Sequence, residues 1–203
     1  MPKIREVTTY SFEELSPKAQ QYALEKQAEF QAEIFDAEFD AEDFCSICKI
    51  LGVKIATRSV PLMGGGTRQK PIIYWSDLGV SWEGQYFYAK SATHKIRKYA
   101  PQDSELHAIA DKLQALQSKA FYGLFSHFGT RYRHNQLEVR SYHLKRDDCT
   151  NAEAEELGCI FHALADWLHS HIQTEYEFAT GQDVCKEAIL CNEYEFDSNG
   201  RIV

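Results

Sequence analysis

Apolar residues recur along this chain in two rhythms, and the rhythms divide it into elements. Phe44, Ile47, Cys48 and Leu51 fall at i, i+3, i+4 and i+7, one helical stripe with acids opposite it. Gly52 is placed to end that helix in a left-handed conformation. An earlier helix opens at Ser16-Pro17, with Ser as N-cap and Pro at the first helical position, and carries Ala19, Ala23, Phe30 and Ile34 at helical spacing. Leu106, Ile109, Ala110, Leu113, Leu116 and Ala120 define another stripe, capped by Asp103 or Ser104. Thr150 and Glu153 have capping-box spacing ahead of a helix bearing Leu157, Phe161, Leu164, Leu168 and Ile172. A short helix is expected from Thr180 or Asp183 through Ala188.

Between these stripes the pattern shortens to β-rich runs. Val7 to Phe12 reads as a short edge strand and Val53 to Ile55 as a second. Residues 61–71 read as a loop punctuated by Pro61, Gly64-Gly65-Gly66 and Pro71. Ile72 to Trp75 and Val80 to Tyr88 form an aromatic pair of strands about an Asp77-Leu78-Gly79 turn. Pro101 interrupts the pattern, and residues 121–144 are β-rich again, bending at Gly129 and Asn135. Glu193 to Phe196, Asn199-Gly200 and Arg201 to Val203 have the pattern of a hairpin. Strands and helices do not alternate as βαβ. The expected fold is α+β, an antiparallel or mixed sheet with several amphipathic helices packed on one face. One domain over residues 1–203 is expected.

Composition supports a packed core and narrows the class. The 203 residues are 44% hydrophobic and 13% aromatic, enough to bury a core without disulfides or metals. No apolar run has the length of a membrane span, and the first residues lack the apolar centre of a signal peptide, so a cytoplasmic protein is expected. Of six cysteines only Cys45 and Cys48 are closely spaced, which fits a reducing compartment. The net charge of -8 disfavours indiscriminate nucleic-acid binding, but its distribution changes the picture. Eight acids lie within residues 25–43 with Lys26 as the one base, and eleven within 153–197 with Lys186 as the one base. Residues 44–152 hold sixteen Lys or Arg against eight Asp or Glu. Such a split either pairs on folding or leaves a dipolar surface that steers a charged partner.

Candidate chemistry is thin. Cys45-x-x-Cys48 has ligand spacing, but a zinc site needs a second pair and the motif falls within a helical stripe, so core cysteines are expected. His162, His169 and His171 lack HExxH spacing, while His94, His127, His134 and His143 fall in or near β segments. Gly64-Gly65-Gly66 matches no phosphate-cradling motif. No cofactor and no catalytic residue are expected. Glu29, Glu33, Asp36 and Asp40 line an acidic helical face that could meet a partner. Lys95, Arg97 and Lys98, with Arg131 and Arg133, interleave cations with aromatics as nucleic-acid-binding stretches do.

Tyr10-Ser11-Phe12-Glu13-Glu14-Leu15-Ser16, the Ala19 to Ala23 helix, Ile50-Leu51-Gly52, Glu175-Tyr176-Glu177, Ala188-Ile189 and Asn192-Glu193-Tyr194-Glu195-Phe196 carry a resemblance. In these segments the chain resembles a loose family of small acidic proteins encoded by phages and prophages, often labelled antitoxins of toxin–antitoxin systems. Phe178-Ala179-Thr180-Gly181 departs from that pattern. The resemblance implies a non-enzymatic accessory protein that binds and inhibits a host protein, either a defence component or a toxin. The alternatives are a nucleic-acid binder built on the basic middle segment and a small enzyme around His127, His134 and the Trp75/Trp82 sheet.

Overall fold

A computed structural model describes residues 8–36, 38–76, 78–131, 136–146 and 148–203. It is an α+β fold. The chain was expected to form one domain over 1–203; its contacts gather into two compact units, Met1–Asp36 with Ile172–Val203, and Ala37–His171.

The first unit packs helix α1 (Pro17–Ile34) on helix α6 (Gln182–Cys191), with the last turns of helix α5 (Asn151–Ala179). Ser16 caps α1 as its sequence position predicts, its Oγ accepting from the Ala19 N–H at 3.3 Å. Just before it, a 3-10 turn over Phe12–Glu14 is closed by a capping box in which the Ser11 N–H donates to Glu14 Oε2 at 2.8 Å. Phe12, Leu15, Ala19, Ala23, Ile189 and Phe196 form this unit's core. Of the strand expected over Val7 to Phe12, Val7 lies outside the described residues, and the rest reduces to a single bridge, Tyr10 to Phe196; Phe196 also bridges Ile202. Gly200, at φ +82°, makes the turn between those last two residues. The apolar side expected for α1 is only half realised. Ala19 and Ala23 are buried, whereas Phe30 and Ile34 are 49% and 55% exposed and Gln27 takes the buried position one turn beyond Ala23.

The second unit is built on a four-stranded antiparallel sheet in the order β1 (Val53–Ile55), β6 (Gly84–Phe87), β7 (Leu124–Arg131), β8 (Gln136–His143). Two hairpins accompany it, β2 (Thr57–Pro61) with β3 (Thr67–Pro71), and β4 (Ile73–Ser76) with β5 (Gly79–Trp82). The 61–71 loop is therefore confined to the glycine tip, because Thr67 to Pro71 pair back onto Thr57 to Pro61. The single strand expected from Val80 to Tyr88 is cut in two at Glu83-Gly84. Gly84 has φ +156°, and a Cβ there would lie 2.2 Å from the Lys54 carbonyl. That bend lets β5 stay with its hairpin while β6 joins the sheet. The bend expected at Gly129 is absent, because Gly129 pairs with Glu138 inside the ladder; the bend expected at Asn135 lies outside the described residues. Phe121 and Tyr122 instead make the turn before β7, with φ of +51° and +58°.

Helices α2 (Glu38–Leu51), α3 (Ala92–Tyr99), α4 (Ser104–Lys119) and the first part of α5 complete this unit. The stripes predicted for α2, α4 and α5 are all buried. Their packing centres on a run of edge-to-face aromatic pairs, Phe44 with Trp82, Trp82 with Phe128, Phe128 with Phe161, and Phe161 with Tyr86. Phe161 of α5 thus covers the inner face of β6 and β7. Helix α3 was not foreseen: it holds the basic run, so His94 lies on a helix and not near a strand. Among the described residues no helix is long and apolar enough to cross a membrane.

Candidate functional site

Side chains alternate across a strand, so covering one face of the sheet leaves the other to be accounted for. On the inner face stand Tyr86, Leu124, Ser126, Phe128, Leu137 and His143, all buried. The cross-strand register assembles the outer face in rows. Phe87 of β6 pairs with Phe125 of β7, and Phe125 with Tyr142 of β8. Their rings follow one another at 5.7 Å and 5.2 Å with interplanar angles of 6° and 23°, a slipped series across three strands. Phe87 is 44% and Tyr142 38% exposed. The row two residues along is polar: Lys54, Gln85, His127 and Arg140 align across all four strands, all exposed. His127 sets its ring edge-on to Tyr142 at 5.6 Å and so joins the two rows. Arg140 also donates to Glu138 Oε1 at 3.2 Å, within its own strand.

An outward row of three aromatics is unusual in a single folded chain, because apolar rings are normally the first groups buried. Here they offer π-surface beside two cations and an imidazole. Such a combination suits planar, electron-rich groups joined by anionic linkers.

The residues singled out in the sequence are distributed differently. Lys95, Arg97 and Lys98 are exposed on α3, and Arg97 is held in a bidentate pair with Asp111 at 3.0 Å and 2.6 Å. That pair holds the Asp111 carboxyl below its usual range. Arg131 ends β7 but its side chain lies outside the described residues, as do Arg133 and His134 entirely. The acidic set also divides. Glu29 and Glu33 are exposed on α1 and Asp36 follows it, all in the first unit, with Glu29 paired to Lys26 at 2.5 Å. Asp40 is on α2 in the second unit, its side chain outside the described set. Cys48 is buried, and burial pushes its thiol well above the ordinary range; Cys45 is half-buried and raised for the same reason. Among the described residues no group of three or more His, Cys, Asp or Glu could hold a metal ion.

Phe87, Phe125, Tyr142, Lys54 and Arg140 were not singled out in the sequence. The signal was there in part: Leu124 to Arg131 and Gln136 to His143 place rings or apolar groups at both parities, so one set had to face away from the core.

The second unit is thus an α+β module whose sheet is helix-covered on one face and aromatic on the other. A family model described as a domain of unknown function, DUF8835, matches residues 37–182, and the chain belongs to that family. Comparison with curated proteins and with solved structures finds no similar chain.

Proposed function

We propose that the protein binds single-stranded nucleic acid on the outer face of its four-stranded sheet. The carrying observation is the outward Phe87–Phe125–Tyr142 series, exposed at Phe87 and Tyr142 and half-buried at Phe125, flanked on the same face by Lys54, His127 and Arg140. Bases stack on exposed rings, at about 1–3 kcal/mol per base, while cations one row away meet phosphates. A double helix hides its base faces, so a strand with unpaired bases is the better fit. Charge does not stand against this reading. The second unit holds sixteen acids and sixteen bases, so the whole net charge of -8 resides in the first unit. The basic segment expected to make the contact is replaced in this proposal by Lys54 and Arg140.

Fluorescence polarisation with labelled single-stranded RNA and DNA at low salt tests it. Tyr142→Ala and Phe87→Ala should each weaken binding by roughly tenfold, with helix content unchanged. Absence of binding at low salt, or binding by both variants as tight as by the unsubstituted protein, would overturn the proposal.

A second reading follows the phage-protein resemblance and the first unit. There the exposed Phe30 and Ile34 lie on the helix that carries Glu29 and Glu33, an acidic and apolar surface suited to a basic partner protein. On this reading the chain docks on a host defence protein or toxin and blocks it. Reversing Glu29 and Glu33 to Lys should abolish recovery of one discrete, nuclease-resistant host protein; undiminished recovery excludes that surface.

A further inference from the structure

Strand β1 ends the four-stranded sheet, and among the described residues β6 is its one neighbour there. The ladder decides which main-chain groups face the other side. The Phe87 N–H donates to the Gly52 carbonyl at 3.0 Å, and the Ala56 N–H to the Glu83 carbonyl at 2.7 Å. Gly52, Lys54 and Ala56 therefore turn toward β6, while Val53 and Ile55 turn their N–H and C=O groups away from it. A pocket of about 630 Å³ runs along this edge, bordered by Gly52 to Ile55, by Cys45 and Lys49 of α2 and by Pro71 of β3. Val53 is buried and Ile55 half-buried, so bulk water is a poor partner for their main-chain groups, and such groups are normally paired. An added strand satisfies alternating donors and acceptors together. The Ala56 carbonyl already accepts the Ile72 N–H at 2.8 Å, so the open stretch runs from Val53 to Ile55, about 10 Å.

The charges choose which strand. Lys54 stands in the middle of the edge with its side chain on the outer face, and Lys49 borders the same pocket from the last turn of α2. Both are exposed, and neither makes an ion pair among the described residues. Glu42 also borders the pocket, but it precedes Lys49 by seven residues, roughly 10 Å along the helix. A second copy of β1 is a poor occupant, because antiparallel pairing about its centre would set Lys54 against Lys54. An acid opposite Lys54 makes a favourable cross-strand pair instead. The residues on either side of that acid turn toward α2, where Cys45 is half-buried.

We infer that the β1 edge accepts a short extended peptide of a partner protein, with an acidic residue opposite Lys54 and β-branched apolar residues flanking it. The inference rests on neither functional reading above.

Fluorescence polarisation of labelled seven-residue peptides, titrated with the full chain, tests it. Each peptide has valine on both sides of a central glutamate, glutamine or lysine. The glutamate peptide should bind about fivefold more tightly than the lysine peptide. Ile55→Pro removes an outward N–H and leaves the bonds to β6, and should weaken the glutamate peptide about tenfold. Methylating the main-chain nitrogens of the three central peptide residues should do the same with the protein unchanged, which decides the matter if Ile55→Pro does not fold. Equal binding of the glutamate and lysine peptides, undiminished binding of the methylated peptide, or no binding would overturn the inference. So would dimerisation of the free chain that Ile55→Pro abolishes, which would give the edge to a second copy.

Discussion

Gln117 shows how much one buried side chain can organise. Its Nε2 donates to Tyr86 Oη at 2.9 Å and to the Leu124 carbonyl at 2.8 Å, and its Oε1 accepts the Leu124 N–H at 3.3 Å. Helix α4 is thereby fastened to the first residue of β7 and to the ring that packs on Phe161. Burial pushes the Tyr86 phenol well above its ordinary value of 10.0, against the opposing pull of the Gln117 bond. The sign for stability follows. Below about 10 the phenol is neutral in folded and unfolded chains and adds no pH dependence. Above that value the unfolded chain releases the proton while the folded chain keeps it, so the unfolded state gains and stability falls as pH rises. Urea midpoints measured near neutrality and in strong alkali should show this decline. Tyr86→Phe should be less stable near neutrality, having lost a hydrogen bond, yet decline less steeply; an identical alkaline slope would refute the assignment.

At the scale of elements, helix ends join parts that the apolar stripes alone do not. Asp103 is the N-cap of α4, its Oδ1 accepting from the Leu106 N–H at 2.8 Å, while its Oδ2 accepts the indole N–H of Trp167 on α5 at 2.8 Å. Asp103→Ala should cost about 2 kcal/mol, one part the cap and one part the orphaned indole donor. Asp103→Asn should recover the cap but not the indole bond, because an amide offers one acceptor oxygen. Chemical denaturation of the two variants separates the contributions. Asp103 was visible in the sequence as a cap, as were the Thr150–Glu153 box and every residue of the α4 stripe, since these depend on neighbours a few positions apart. Gly52 was legible for the same reason: it has φ +90°, with no room for a Cβ beside the Phe87 carbonyl. What escaped was set by distant partners. Strand β3 contains Arg68, Gln69 and Lys70, and only pairing with β2 makes it a strand. Helix α3 hides in a basic run whose buried residues are just Ala92 and Ile96. The aromatic row could be seen as rings but not as an open face. Whether Phe87 or Tyr86 points inward depends on which side the helices occupy, and strand alternation leaves that choice undetermined.

Over the whole molecule, net charge is segregated. The first unit holds fourteen acids and six bases, while the second balances its charges and carries the open sheet face. Two cations, Lys54 and Arg140, stand on that face. A strand bound there should release few counterions, giving a slope of log affinity against log salt of roughly −1.4 for two phosphate contacts. Polarisation titrations across a salt series measure it, and a much steeper slope would move the contact to a basic surface elsewhere, α3 included. A second asymmetry concerns light. Trp75, Trp82 and Trp167 all belong to the second unit, and Trp82 lies at the centre of its aromatic core. Tryptophan emission, excited at the red edge where tyrosine is silent, is a colour channel for that unit alone. Far-ultraviolet dichroism sums the helices of both. Coincident transitions in the two signals would mark a single cooperative melting event, and divergent ones would time the two halves separately.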